Sequence, residues 1–302
     1  MLIIIFVSLA LRWNLLTLDR LTAEARLAAL WWLVLTPWLI GVSATGIVML
    51  LSSPEVSGFT GSDFIHWHHP SAFALNSWHG YFVFAMVALV FVMGLSVARR
   101  LREAASLVKT LELMSIQRPD GVMVLDTDIP AAFTAGMMRP RCYMTSALIA
   151  ALKADEYAII RFHEMVHVRR GDPSRKMLFQ LLAAFYPSRI AQILNSQMAV
   201  SMEQSADTIV AGERNDRAGI ARTLLKVRRL VMSLPHGTKA EIGVCHFGLD
   251  DIESRIRYLL AEYKGNTLPV FPVLVLLLIA AAVCATGADA VHHAVEISMQ
   301  HS

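Results

Sequence analysis

The stretch "IIRFHEMVHVRRGD", residues 159–172, decides what the rest of the chain must fold around. His163 and His167 are four residues apart, so on a helix both imidazoles leave the same face. Two neutral imidazole nitrogens so placed suit one Zn2+ ion, at about 2.0–2.1 Å each. Glu164, beside the first of them, can reach a zinc-bound water without ligating the ion. Zinc lowers the pKa of such a water toward ~7, and Glu164 can then accept its proton. The same carboxyl can later return the proton to a leaving amine. Taken alone, "HEMVH" also fits two surface histidines on an amphipathic helix.

A hydrolytic zinc site needs a third protein ligand and an open fourth position. "AVSMEQSADTIVAG", residues 199–212, offers Glu203, with Asp207 one helical turn later on the same face. Glu203 completes a His2Glu set. Asp207 suits a hydrogen bond to a ligand imidazole that fixes its tautomer. The competing reading is an exposed acidic face. Yet these two are the only charges between Leu194 and Ala211, and inward-pointing carboxylates are costly without a metal or a partner.

Around this motif the chain is oily. Of its 302 residues 55% are hydrophobic and 17% charged, and its mean hydropathy is +0.51. Soluble proteins average about 45–50% and ~25%, so the composition points to a membrane protein. A formal net charge of +3 gives no argument for nucleic-acid binding. Cys142, Cys245 and Cys284 form no CxxC pair and read as small buried hydrophobes.

Apolar runs at residues 27–51, 78–98 and 268–287 carry no Asp, Glu, Lys or Arg. Each approaches or exceeds the ~20 residues that cross a ~30 Å hydrocarbon core. Pro37 is expected to kink the first of these. Residues 2–18 make a further span if Arg12 snorkels to the interface. Arg12, Arg20 and Arg26 lie at or between the first two runs, and every other Lys or Arg falls between Arg99 and Lys264. The loop 52–77 and the tail 288–302 have none. The positive-inside rule then puts the segment 99–266 in the cytoplasm, and the loop 52–77 and both termini outside. The expectation is a mainly α-helical, multi-pass protein of the cytoplasmic (inner) membrane. It has about four transmembrane helices, an N-terminal membrane region 1–98, a cytoplasmic domain 99–266 between the third and fourth spans, and a last span with a short outer tail in 267–302.

Segment 99–266 can bury a core of its own. "GVMVLDTD" (residues 121–128) reads as a short strand, and "AAFTAGMMRPRCYMTS" (131–146) as a hairpin turning near Gly136 and Pro140. From Ala147 onward the pattern is helical, with Ser146 and Asp155 as candidate N-caps and Gly171 with Pro173 ending the motif helix. Further helices are expected near 174–186, 189–211, 218–233 and 249–263. Residues 132–136 are a candidate exposed edge to which an extended substrate could add as a strand.

In order and content, "FTAGMMRPRCYMTSALIAAL", "HEMVHVRRGD" and "EQSAD" resemble the BlaR/MecR-type membrane zinc metallopeptidases, which are gluzincin-like. "DDIESRIRYLL" is similar to that family's helix before the last span. The resemblance implies an α+β zincin-like domain inserted between a third and a fourth transmembrane helix. It also implies His163, His167 and Glu203 as ligands of one catalytic Zn2+, Glu164 as base and Asp207 behind a ligand. Those proteins continue into an outer penicillin-binding sensor domain. Here only residues 288–302 follow the last run, and the lone SxxK, at Ser106–Lys109, has no SDN or KTG beside it. β-Lactam sensing is therefore not expected.

The expected function is a zinc metalloendopeptidase that transmits a signal by cleaving a cytoplasmic protein such as a transcriptional repressor. Membrane-protein quality control is the enzymatic alternative. A His-rich metal sensor or transporter is the non-enzymatic one, and His66, His68 and His69 in the outer loop are its candidate ligands. Against a transporter, no span carries an acidic or paired-His site. His246 is a candidate transition-state helper.

Overall fold

The computed structural model describes residues 18–51, 78–233 and 252–261, besides Ile4 and Ser8. The expected spans at 2–18 and 268–287 and the loop 52–77 lie essentially outside the described residues, as do His66, His68, His69 and His246. The described chain divides into two compact units. One holds residues 18–35, 105–233 and 252–261, the other 36–51 and 78–104.

Two long helices carry the apolar runs. Helix α1 is Ala23–Leu51, with Pro37 inside it, and α2 is Trp78–Met114. Among the described residues one segment, Ala23–Val42, is long and apolar enough to cross a membrane. The expected domain edge at 98/99 falls within α2, which runs on through Arg99, Arg100 and Arg102. In the second unit the apolar side chains Val42, Phe84, Val87, Phe91 and Leu95 are exposed.

The first unit is a small sheet and a set of helices sharing the motif helix as their common wall. The strands are β1 (Ser115–Gln117), β2 (Met123–Leu125), β3 (Ala132–Ala135) and β4 (Arg141–Thr145), in the order β1-β2-β4-β3. β2 and β4 run parallel; the outer pairs are antiparallel, with Phe133 opposite Tyr143 and Thr134 opposite Cys142. The hairpin expected at 131–146 is β3–β4, and β3 is an edge of the sheet. Gly136 turns it at φ +108, where a Cβ would come within 2.6 Å of the Arg139 carbonyl. β1 has no counterpart in the sequence reading, because three residues are too few to show an alternation.

The helices follow as α3 (Ser146–Ala151), α4 (Ala154–Arg170), α5 (Asp172–Ala183), α6 (Ser188–Arg214), α7 (Arg217–Met232) and α8 (Ile252–Leu260). The cap residues differ from expectation. Thr145, the last strand residue, caps α3 by accepting from the Leu148 N–H, so Ser146 lies inside the helix. Lys153 takes the N-cap position of α4. Its N–H donates to Glu156 at 2.8 Å, and Asp155 falls in the first turn. This is the backward half of a capping box, in which the third helical residue satisfies the N–H of the N-cap residue.

One side of α4 packs on the sheet, where Ile160 meets Val122, Cys142, Met144 and Leu148. Its other side meets the helices, where Ile159 joins Val210 of α6, Ile220 and Leu224 of α7 and Leu259 of α8. Cys142 is a buried thiol in this core, as the small-hydrophobe reading expects. The sheet's opposite face buries Met123, Leu125 and Tyr143, with Phe133 stacked on Tyr143 at 5.4 Å. The start of α1 belongs to this unit. Leu27, Leu30 and Val34 are buried, Trp31 meets Phe179 edge-on at 5.5 Å, and the Tyr186 hydroxyl donates to the Leu33 carbonyl.

Candidate metal centre

His163 and His167 lie on the face of α4 turned toward α6, and both are buried. Their Nε2 atoms are 3.1 Å apart. Glu203, reaching over from α6, places Oε2 3.2 Å from the Nε2 of His163 and Oε1 3.6 Å from that of His167. One ligand atom from each of the three lies within 4.8 Å of the others.

Each imidazole is held from behind. The Nδ1 of His163 lies 3.0 Å from Asp207 and the Nδ1 of His167 lies 2.6 Å from Asp172. Nδ1–H groups donating to carboxylates leave both Nε2 lone pairs facing the centre. Two acceptor nitrogens at 3.1 Å, with a carboxylate beside them, repel unless a proton or a metal ion lies between them. A proton on His163 relieves this contact in the metal-free chain, and a metal ion fits the same convergent donors. Two imidazoles and one carboxylate suit a borderline-soft divalent ion.

Asp172 reaches His167 because of Gly171. This residue takes the left-handed conformation (φ +64), ends α4 by donating to the carbonyls of His167 and Val168, and starts α5. The left-handed turn returns the chain toward the last turn of α4.

A second residue absent from the sequence reading is Arg255, on α8. It is 5% exposed. Its Nε and Nη2 donate to the two oxygens of Asp207, each at 2.8 Å, and its Nη1 lies 2.9 Å from Glu203 Oε2. Nη2 also comes within 3.4 Å of the Nε2 of His163. One guanidinium thus braces both the third donor and the carboxylate behind the first.

The electrostatics follow from this packing. Burial works against charge on Glu203 and Asp207, but Arg255 outweighs it, holding Glu203 well below the usual carboxylate range and Asp207 down to about 2. Burial likewise opposes a charged His163, yet hydrogen bonds with Asp207 and Glu203 raise it to about 10. Glu203 and Asp207 therefore stay ionised beside the histidines, balanced by Arg255 and a protonated His163.

Glu164 points from α4 toward the sheet edge. Its Oε2 accepts from the Thr134 hydroxyl of β3 at 2.9 Å, and its own carbonyl lies 3.1 Å from the same hydroxyl. Thr134 is the third residue the sequence reading left out.

Of the expected site residues, His163, His167, Glu203 and Asp207 come together, and Glu164 sits beside them facing the edge strand. The signals for the missed residues differ in strength. Asp172 directly follows the helix-stopping Gly171. Arg255 interrupts the buried face Ile252, Arg255, Leu259 of α8, where a charge is anomalous. Thr134 carried no local signal.

No curated protein matches the chain. The family model described as BlaR1 peptidase M56 matches residues 72–259, well over half of the chain, and takes in every residue just described from Thr134 to Arg255. With this match beside the His–His–Glu cluster, the chain belongs to the BlaR1 peptidase M56 family.

Proposed function

We propose that this peptidase is an integral-membrane zinc endopeptidase whose site is His163, His167, Glu203 and Glu164. The observation that carries the reading is the convergence of two tautomer-fixed imidazoles and one carboxylate, with a further carboxylate, Glu164, held outside that set by Thr134. A zinc ion on the three donors supplies Lewis acidity, which makes water nucleophilic near neutral pH and polarises a carbonyl.

The chain's own residues do the rest. His163 and His167 present Nε2 because Asp207 and Asp172 hold Nδ1. Glu203 offers Oε1 while Arg255 holds Oε2. Glu164 takes the proton of the attacking water and delivers it to the leaving amine. Edge strand β3 gives an extended peptide a backbone to pair with, and it runs past Glu164 at Thr134.

The exposed apolar side chains of α2 and the apolar segment Ala23–Val42 support membrane integration. The placement of Lys and Arg supports a cytoplasmic peptidase domain and several passes. The substrate of this reading is a cytoplasmic regulatory protein, such as a transcriptional repressor, presented as an extended segment.

The experiment compares Glu164→Gln with the wild type in the parent cells. Zinc content stays the same, and at least one cytoplasmic protein keeps its full length only in the variant. Identical proteomes, or cleavage that persists in the variant, would overturn the reading.

A further inference from the structure

The start of α1 is tied to the metal centre through polar groups. Arg26 is 5% exposed, and among the described residues its hydrogen-bond partners include no carboxylate. Its Nη1 donates to Gln204 Oε1 at 3.0 Å, while Nε and Nη2 donate to the carbonyls of Leu18 and Leu21. Gln204 is the neighbour of Glu203 on α6 and is 3% exposed. Its Nε2 donates to the hydroxyl of Ser254, at 3.0 Å, beside Arg255 on α8. The Tyr258 hydroxyl, one turn further on, accepts from the Ala23 N–H at 2.8 Å.

The chemistry of an amide makes this chain directional. Gln has one acceptor end and one donor end, and Arg can only donate. Arg26 therefore fixes Gln204 with its oxygen toward α1 and its NH2 toward α8. That amide bridges α6 and α8 one residue away from the Glu203–Arg255 ion pair on each helix. A buried guanidinium is costly unless its donors are met, and among the described residues the partners of Arg26 are two carbonyls and an amide oxygen. A Met at position 26 would keep an apolar stem there without any of these donors.

We infer that Arg26 is a positioning residue of the metal centre, acting through Gln204 and Ser254 to set α6 against α8. This rests on the metal-site reading of His163, His167 and Glu203. It makes the beginning of the apolar helix a part of the peptidase machinery, so that a displacement of that helix is felt at Glu203 and Arg255.

The test measures Zn2+ affinity of the full chain in detergent, by competition with a chelating dye, alongside thermal unfolding. Residues around a metal's ligands typically set 10–100-fold in affinity. Arg26→Met and Gln204→Leu are each expected to weaken binding about tenfold, and the double variant no more than either alone. Leu30→Ala, on the same buried face of α1, lowers the unfolding temperature and leaves affinity within about twofold. If Arg26→Met does not fold, Arg26→Lys keeps the charge, loses the fork and weakens binding in the same direction. Unchanged affinity in the Arg26 variants, an equal loss in Leu30→Ala, or additive losses in the double variant would sink the relay. A wild-type chain that takes up no Zn2+ overturns the metal-site reading itself, and the relay with it.

Discussion

Arg255 and Asp207 form a two-pronged ion pair, Nε and Nη2 each 2.8 Å from a carboxylate oxygen, in which both partners are almost wholly buried. The pair sits directly behind His163, and its remaining nitrogen reaches Glu203. It joins α8 to α6 and α4 at the one place where three carboxyl or imidazole groups must keep fixed orientations.

Removing one partner of such a pair leaves a buried charge uncompensated. Arg255→Met should therefore destabilise the metal-free unit by about 3–5 kcal/mol. Chemical denaturation followed by tryptophan fluorescence checks this. Arg255→Lys should recover only a small part, because an ammonium cannot replace a planar fork that spans two oxygens. A loss below about 1 kcal/mol for the Met variant would mean that the pair contributes little.

In the metal-free protein the His163 imidazole carries a proton to about pH 10, since Asp207 and Glu203 outweigh the burial that opposes it. Metal binding must displace that proton, so affinity should rise with pH, and uptake near pH 7 should release about one proton from this residue. Calorimetry in buffers of different ionisation enthalpy counts it. The sign for stability is the opposite. With the folded pKa raised, the stabilisation is complete below the unfolded value of ~6.5 and is lost as pH rises toward 10.

The Thr134 hydroxyl fixes which way the Glu164 carboxylate faces. If Glu164 is the proposed general base, Thr134→Val should lower kcat about tenfold, with zinc content and KM little changed, because that carboxylate loses its orientation. Thr134→Ser keeps the hydroxyl and should restore most of the rate. Equal losses in both variants would assign Thr134 to packing in the edge strand.

Gly136 turns the hairpin that presents β3, at a φ of +108 and with the Arg139 carbonyl oxygen only 2.6 Å from where a Cβ would stand. Gly136→Ala should cost about 1–3 kcal/mol. Its effect on peptide cleavage should exceed its effect on Zn2+ affinity, since none of the proposed ligands His163, His167 and Glu203 lies on that strand. Parallel titration and cleavage assays separate the two.

Much of the centre was legible because its spacing is short. His163 and His167, like Glu203 and Asp207, are one helical turn apart, and helix geometry alone puts each pair on one face. The hairpin was legible from Gly136 and Pro140, and the end of α4 from Gly171. Cap identities were not, because Thr145 serves both as the last residue of β4 and as the cap of α3, and a strand residue is not read as a helix signal.

What the sequence determined by itself is therefore the local chemistry: which residue types recur at helical spacing, and that they belong to the one strongly charged part of an apolar chain. Only tertiary structure decided what surrounds them. Arg255 meets Asp207 across 48 residues, Thr134 meets Glu164 across 30, and Arg26 meets Gln204 across 178. No periodicity encodes such separations. They arise because α4 is walled by a sheet on one side and by helices on the other, and buried charges such as Asp207 and Arg255 find their partners across that wall.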